Sequence, residues 1–212
     1  MRNAIAVAAI LTLTSVVPAM AATCPGTPVF QDAFTTPNST LNIEPAPEAT
    51  VTVKDGKAEV VFLQQGKERI EQYHGAPYGD VNLCLTIATP ATDKAEDQSA
   101  GLVFWATDYN NYSMLEVSLS GQLTVIQEAS GGNFQHLLPW HANAALAKGA
   151  GASNTLRVQT KGNVATFFVN DQQVGTVTGT PPSGGGLVGF YASSSSTSLS
   201  TWDFSGFSVA TP

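Results

Sequence analysis

Positive charge is scarce in this sequence. Its 212 residues include 9 Lys and Arg against 16 Asp and Glu, which gives a formal net charge of −7 at pH 7. A surface with this excess of carboxylates repels phosphate backbones and anionic lipid headgroups. The composition therefore argues against nucleic acid as a partner and against an anionic membrane surface.

Long apolar runs are missing, apart from one at the N-terminus. Arg2 precedes the run AIAVAAILTLTSVV, which is followed by Pro18 and the small-x-small sequence AMA. The run is shorter than a typical membrane span, and the order of its parts is that of a secretory signal peptide. We therefore predict a signal peptide over residues 1–21, export to the periplasm or the extracellular space, and no membrane insertion after cleavage.

Cysteine is also rare, with only Cys24 and Cys84 in the chain. An oxidising compartment outside the cytoplasm favours their pairing. The predicted disulfide would tie the start of the mature chain to the segment VNLCLTI. The alternative is two free, buried thiols.

Helical periodicity is almost absent, and strand patterns take its place. Short alternating segments recur between Gly, Asn, Asp, Ser and Pro, as in ATVTVKDGKAEVVFL, where Asp55-Gly56 predicts a hairpin turn. Residues 141–149 could form one or two helical turns or a loop. Closely spaced strands without intervening helices predict an all-β fold of two packed antiparallel sheets, in a single domain over residues 22–212.

The usual signatures of metal and nucleophile chemistry are missing. His74, His136 and His141 have no second ligand at a zinc-site spacing, and no Gly-x-Ser-x-Gly sequence occurs. We predict no cofactor and no metal. The alternative is calcium at DYNN, residues 108–111, where a single carboxylate would hold a hard cation weakly.

The sequence resembles a bacterial laminin G-like domain of the concanavalin A-like lectin/glucanase fold. The similarity lies in NTLRVQTKGNVATFFVNDQQVGTV, GLVGFYAS and WDFSGFSV, in the earlier FQDAF, and in the hairpin GLVFWATDYNNYSMLEV. Asp171 stands where the family commonly has a turn glycine. The resemblance implies a jelly-roll sandwich, and the wider group includes sugar-binding lectins, glycoside hydrolases, adhesion modules and the 3-keto-disaccharide hydrolase domain.

Catalytic motifs of that group are not reproduced. Glycosidases of the laminarinase type carry E-x-D-x-x-E on one strand, and no Glu here begins that pattern. Glu68 and Glu71 come closest, but residues three apart lie on opposite faces of a regular strand. The Arg of the keto-disaccharide branch's N-S-G-I-x-x-R strand is also missing from SAGLVFW, so the resemblance does not carry an activity with it.

Three segments supply candidate ligand-binding side chains. In YSMLEVSL, Tyr112 and Glu116 share the face opposite to the core, where the alternative is an ordinary outward-facing glutamate. In NFQHLLPWHAN, Trp140 with two histidines and Phe134 could form a sugar-stacking wall on a loop, or could cap the sandwich.

The third segment is YHGAPYGD, which places Tyr73, His74 and Tyr78 close together. DYNN itself fits a hairpin turn better than a binding loop. From the resemblance, the loop aromatics and the missing catalytic pattern, we predict a non-catalytic module that binds a glycan or a cell-envelope component. The alternatives are a sugar-active hydrolase or lyase of the 3-keto-disaccharide type, and a structural or adhesive envelope protein.

Overall fold

The computed structural model describes residues 24–88, 98–130, 132–149 and 151–212. This part of the chain forms fourteen strands and no helix. A membrane-crossing helix is accordingly not found among these residues. The predicted signal peptide, residues 1–21, lies outside the described ranges.

One sheet has eight strands, all paired antiparallel, in the order β12-β11-β10-β5-β14-β3-β2, with β1 also paired to β14. These strands are β1 (Thr27–Asp32), β2 (Ala49–Lys54), β3 (Lys57–Phe62), β5 (Asn82–Ala88), β10 (Ser153–Lys161), β11 (Val164–Val169), β12 (Gln172–Thr178) and β14 (Thr201–Thr211).

The other sheet has six antiparallel strands in the order β4-β13-β6-β7-β8-β9. They are β4 (Glu68–Tyr78), β6 (Ser99–Asp108), β7 (Asn111–Ser118), β8 (Gln122–Ala129), β9 (Asn133–Ala142) and β13 (Gly186–Ser193). The prediction of an all-β, two-sheet jelly-roll sandwich is confirmed.

Period-two alternation builds the core between the sheets. Alternate residues of each strand point inward, and the largest fully buried side chains are aromatic. Phe190 of the six-stranded sheet meets Phe204 of the eight-stranded sheet at 4.5 Å between ring centroids. Burying rings of this size contributes about 2–3 kcal/mol each, so the aromatic layer dominates the cohesion of the sandwich.

Turn chemistry closes the hairpins where the sequence indicates. Asp55 and Gly56 both have positive φ (53° and 85°), the conformation that a two-residue hairpin turn between β2 and β3 requires. Asn170 and Asp171 adopt φ of 49° and 64° between β11 and β12. Asp171 therefore fulfils the role of the turn glycine, because Asp tolerates the left-handed region better than most residues.

Two segments differ from the sequence-based expectation. Residues 133–142, expected as a loop, form the edge strand β9, and Pro139 is tolerated there because an edge strand has unpaired N–H positions. The segment YHGAPYGD, for which no strand is predicted, continues β4 up to Tyr78. Residues 141–149 contain the end of β9 followed by turns.

The disulfide prediction is confirmed. Cys24 and Cys84 are bonded, with Cα atoms 5.6 Å apart and a separation of 60 positions in sequence. Cys84 lies in β5 at the centre of the eight-stranded sheet, so the bond fixes the residues preceding β1 to the best-buried part of that sheet.

We expect removal of this disulfide by Cys24→Ala with Cys84→Ala to lower the free energy of unfolding by about 4 kcal/mol at most, because the open chain regains loop entropy. Urea unfolding of variant and parent, each with and without reductant, measures the difference. Reductant should destabilise the parent alone. Equal urea midpoints for parent and variant in the absence of reductant would contradict a stabilising role of the disulfide.

Candidate functional site

The outer face of the six-stranded sheet carries a second, smaller apolar cluster. Along β7, Leu115 and Val117 face the core between the sheets, whereas Tyr112 and Met114 face outward. Tyr191 of β13 joins the outer cluster. The alternation predicted for YSMLEVSL is therefore present, and it gives this sheet two apolar faces.

Strand register places Glu116 at the middle of this outer face. Glu116 pairs with Gly101 of β6 on one side and Thr124 of β8 on the other, and Gly101 pairs in turn with Tyr191 of β13. Gly101 has no side chain to fill the space between the carboxyl and the phenol. A Cβ there would lie 2.6 Å from the carbonyl oxygen of Leu115, so the position requires glycine.

Three adjoining depressions of about 480, 390 and 240 Å³ cover this face. Glu68 lines all three, and other residues are shared between neighbouring depressions, so they form one continuous channel. We call it the outer groove, and its defining residues are Glu68, Tyr112, Glu116, Phe134, Trp140 and Tyr191.

Glu116 is held in the floor of the groove by serines. Its side chain is buried, with 8% of its surface exposed, and its Oε1 accepts a hydrogen bond from the Ser99 hydroxyl. The Ser99 and Ser193 hydroxyls lie 2.9 Å apart. Burial raises the pKa of Glu116 to about 7, against the opposing effect of the Ser99 hydrogen bond, and the negative charge of Glu68 adds to the rise.

The phenol groups of the floor are surrounded by carboxylates. Burial raises the pKa of Tyr191, and Glu116 and Glu68 raise it further. Tyr112 pairs directly with Glu128 across β7 and β8, and burial with that carboxylate raises its pKa as well. Both phenols therefore stay protonated and can donate a hydrogen bond.

Strand β9 forms one wall of the groove. Phe134 and Trp140 are large apolar side chains with 54% and 38% of their surface exposed. His136 Nδ1 lies 2.9 Å from the hydroxyl of Thr124, which also donates to the Leu138 carbonyl at 2.7 Å. These contacts fix the wall against the floor, and the two exposed rings offer flat apolar surfaces to a ligand.

The predicted candidates divide between the groove and other places. Tyr112, Glu116 and Trp140 meet in the outer groove. Tyr73 is 1% exposed in the core, where its hydroxyl donates to Asp32 Oδ2 at 3.0 Å, so a ligand at the surface has no access to it. His74 is exposed beside Tyr109, outside the groove as defined.

Tyr78 lines a separate pocket of about 210 Å³ at the end of the sandwich.

The turn DYNN satisfies its own polar groups. Asp108 Oδ1 accepts from the Asn110 backbone N–H at 2.7 Å, and both carboxylate oxygens accept from the Asn111 amide at 2.9 Å. These hydrogen bonds lower the pKa of Asp108. DYNN is thus a hairpin turn, and across the described ranges no group of three or more His, Cys, Asp or Glu is arranged to hold a metal.

Sequence reasoning missed Glu68, Ser99 and Tyr191 as groove residues. The signal for Tyr191 was available, because alternation in GLVGFYAS places it opposite to Phe190, which faces the core. Glu68 and Glu71 do lie on opposite faces, as predicted: Glu68 lines the groove, and Glu71 is 1% exposed beside Arg69 Nε at 2.5 Å. Which strands flank β7 in the sheet cannot be deduced from local pattern.

Comparison with known proteins gives the fold. No family model matches the chain, and no curated protein matches it. The solved structure of the carbohydrate binding module CBM66 from Bacillus subtilis is similar at a TM-score of 0.52 and 12% identity, over 82% of this chain and 92% of that one.

Two further solved structures share the fold. A Bacillus licheniformis β-glucanase matches at a TM-score of 0.62 and 12% identity, over 89% of this chain and 100% of that one. A Bacillus subtilis protein of unknown function with a galectin-like fold matches at a TM-score of 0.57 and 10% identity, over 87% and 96% of the two chains. Identities this low establish a galectin-like or concanavalin A-like β-sandwich and no more.

The buried carboxyls predict that stability falls as pH rises. Burial raises the pKa of Glu116 and of Glu71 from 4.5 to about 7, so the folded protein binds more protons than the unfolded chain between these values. The stabilisation is complete below the lower value and is lost as pH passes the upper one. Each group can contribute about 3 kcal/mol at most.

Urea unfolding measured at about pH 5 and pH 8 tests this expectation. Glu116→Gln should reduce the loss of stability between the two pH values. Glu59→Gln, on the other sheet and salt-bridged to Lys57, is the matched control and should not change it. A pH dependence that is the same in Glu116→Gln and the parent would show that Glu116 titrates normally.

Proposed function

We propose that this protein is an exported, non-catalytic module that binds an oligosaccharide in the outer groove. The observation that carries the proposal is the juxtaposition of exposed rings with buried hydrogen-bonding groups. Phe134 and Trp140 stand on one wall, and the Tyr112 and Tyr191 phenols and Glu116 lie in the floor. The glycan would come from a cell envelope or from the extracellular surroundings.

Sugar rings have the complementary chemistry. A pyranose presents an apolar C–H face that packs on an aromatic ring, and a rim of hydroxyls that need partners. The groove supplies both, because hydroxyls of Ser99, Ser118 and Ser193 line the end beyond Glu116. Because three adjoining depressions make up the groove, it offers room for more than one sugar unit.

The fold comparisons support this class of ligand. Proteins with a similar sandwich include a carbohydrate binding module and a β-glucanase, and both names refer to carbohydrates. The alternative of a structural or adhesive envelope protein would be favoured by a flat apolar patch. A groove with protonated phenols and carboxyls in its floor fits a polar, ring-shaped ligand better.

A second candidate function is glycoside cleavage, and one observation favours it. Glu116, with a pKa near 7, and Glu68 face the same groove from β7 and β4. A protonated and an ionised carboxyl on one groove are the pair that glycosidases use as acid and as base or nucleophile. This candidate is the sugar-active hydrolase alternative, including turnover of 3-keto-disaccharides.

Binding is tested on a glycan array with neutral, amino and acidic oligosaccharides, followed by calorimetry on the ligands found. We expect Trp140→Ala to weaken binding about tenfold to a hundredfold, as truncation of a central aromatic contact commonly does. Leu63→Ala, an exposed apolar residue outside the groove, is the control and should bind normally. Failure of the folded parent to bind any oligosaccharide would overturn the proposal.

Cleavage is tested by incubating each array ligand and 3-keto-disaccharides with the protein and separating the products. If the second function holds, Glu116→Gln should slow product formation about a hundredfold or more while binding persists. Glu59→Gln, which removes a carboxyl on the other sheet, is the control and should retain the rate. Absence of products from every ligand that binds would leave the non-catalytic function.

A further inference from the structure

Carboxylates far outnumber accessible cations along the outer groove and its adjoining rim. Its lining includes two basic side chains, Lys67 and Arg69, against five acidic ones. Arg69 is already engaged, since its guanidinium contacts Glu71 at 2.5 Å and Glu48 at 3.8 Å. The five acidic residues are Glu44, Glu48, Glu68, Glu116 and Glu128.

A buried acceptor without a donor lies at the serine-rich end. Gln98 is fully buried and lines the groove, and its amide nitrogen donates to the Ser198 hydroxyl at 2.7 Å. Its carbonyl Oε1 has no hydrogen-bond partner in the part of the chain that the structure describes. Because an unpaired buried acceptor is costly, this atom indicates a ligand that brings a hydrogen-bond donor.

The aromatic rings of the groove, like its carboxylates, favour a positively charged group. The face of an aromatic ring is electronegative and attracts a cation, most strongly for Trp, so Trp140 and Phe134 suit an ammonium group. Glu68 lies within the same depression as both rings. An ammonium held between a ring face and a carboxylate gains from both.

From these observations we infer that the outer groove selects glycans with free amino groups, that is, oligosaccharides of unacetylated amino sugars. The inference rests on the proposed function and names its ligand class. Carboxylates repel uronic acids and sulfated sugars, so these are excluded. Neutral and acetylated sugars lack the charge, and they bind through stacking and hydroxyl contacts alone.

Titratable groups face Glu116 from several neighbouring segments. They are Glu68 on β4, His136 on β9, Lys67 preceding β4, and the Tyr191 phenol, whose pKa both Glu116 and Glu68 raise. Below neutral pH Glu116 is mainly protonated, so the other carboxylates of the groove supply the negative charge. The distinction between amino and neutral sugars therefore depends first on Glu68, which lines every part of the groove.

The test uses three oligosaccharides that match in length and linkage and differ in carrying a hydroxyl, an acetamido or a free amino group. The linkage is taken from the tightest array ligand. Calorimetry at about pH 6, where amines of ordinary pKa near 8 are protonated, compares their affinities. We expect the free amine to bind at least about tenfold tighter, with an advantage that shrinks at ~0.5 M salt.

Glu68→Gln should lower the affinity for the free amine much more than the affinity for the hydroxyl ligand, and so remove most of that advantage. Glu59→Gln, a carboxylate on the other sheet, is the matched control and should keep the advantage. Equal affinities for the three ligands, or tightest binding of an acidic sugar, would overturn the inference and leave the proposed function intact. Failure to bind any of the array ligands would overturn both.

Discussion

One side chain crosses the sandwich and ties its core to its outer face. Trp202 belongs to the eight-stranded sheet, is fully buried, and donates its indole N–H to the carbonyl of Ser193 in the other sheet at 2.8 Å. The hydroxyl of the same Ser193 lies on the outer side, where it contacts Ser99, which in turn holds Glu116. Removing the indole would take one donor from this buried carbonyl, which also accepts from the Ser200 hydroxyl. The position of the groove's central carboxyl thus depends on a hydrogen bond made inside the core.

The link from Trp202 to Glu116 is important because Glu116 lies beside an apolar cluster on the outer face of the six-stranded sheet. A sheet that packs on a core with one face commonly exposes polar residues on the other. Here the outward face of β7 and its neighbours buries Tyr112, Met114 and Tyr191 instead. Burial on an open face puts Glu116 in a low-dielectric position that is still reached from the groove, which is why its pKa rises to about 7.

The local sequence pattern is enough to predict most of the fold and some of the groove residues. Alternation placed Tyr112 and Glu116 on one face, and the Asp55-Gly56 turn fixed the β2–β3 hairpin. Local pattern cannot give sheet order, because β13 reaches its place between β4 and β6 through contacts distant in sequence. Glu68 was therefore considered as a partner for Glu71 on its own strand, not for Glu116. Residues 133–142 escaped recognition because a proline there weakens the strand pattern.

Glu116 and Glu68, the carboxyls of the groove that could act as a catalytic pair, differ in burial, and this difference favours recognition over catalysis. Glu116 is buried and fixed by Ser99, whereas Glu68 is exposed at the beginning of β4, an edge strand. A glycosidase needs both groups oriented within a fraction of an ångström, since catalysis depends on preorganised geometry. Attraction of an ammonium group falls off gradually with distance, so it does not require the carboxylate to stand in one fixed position. A buried acid beside an exposed one therefore suits a groove that distinguishes the charge of a sugar better than one that cleaves it.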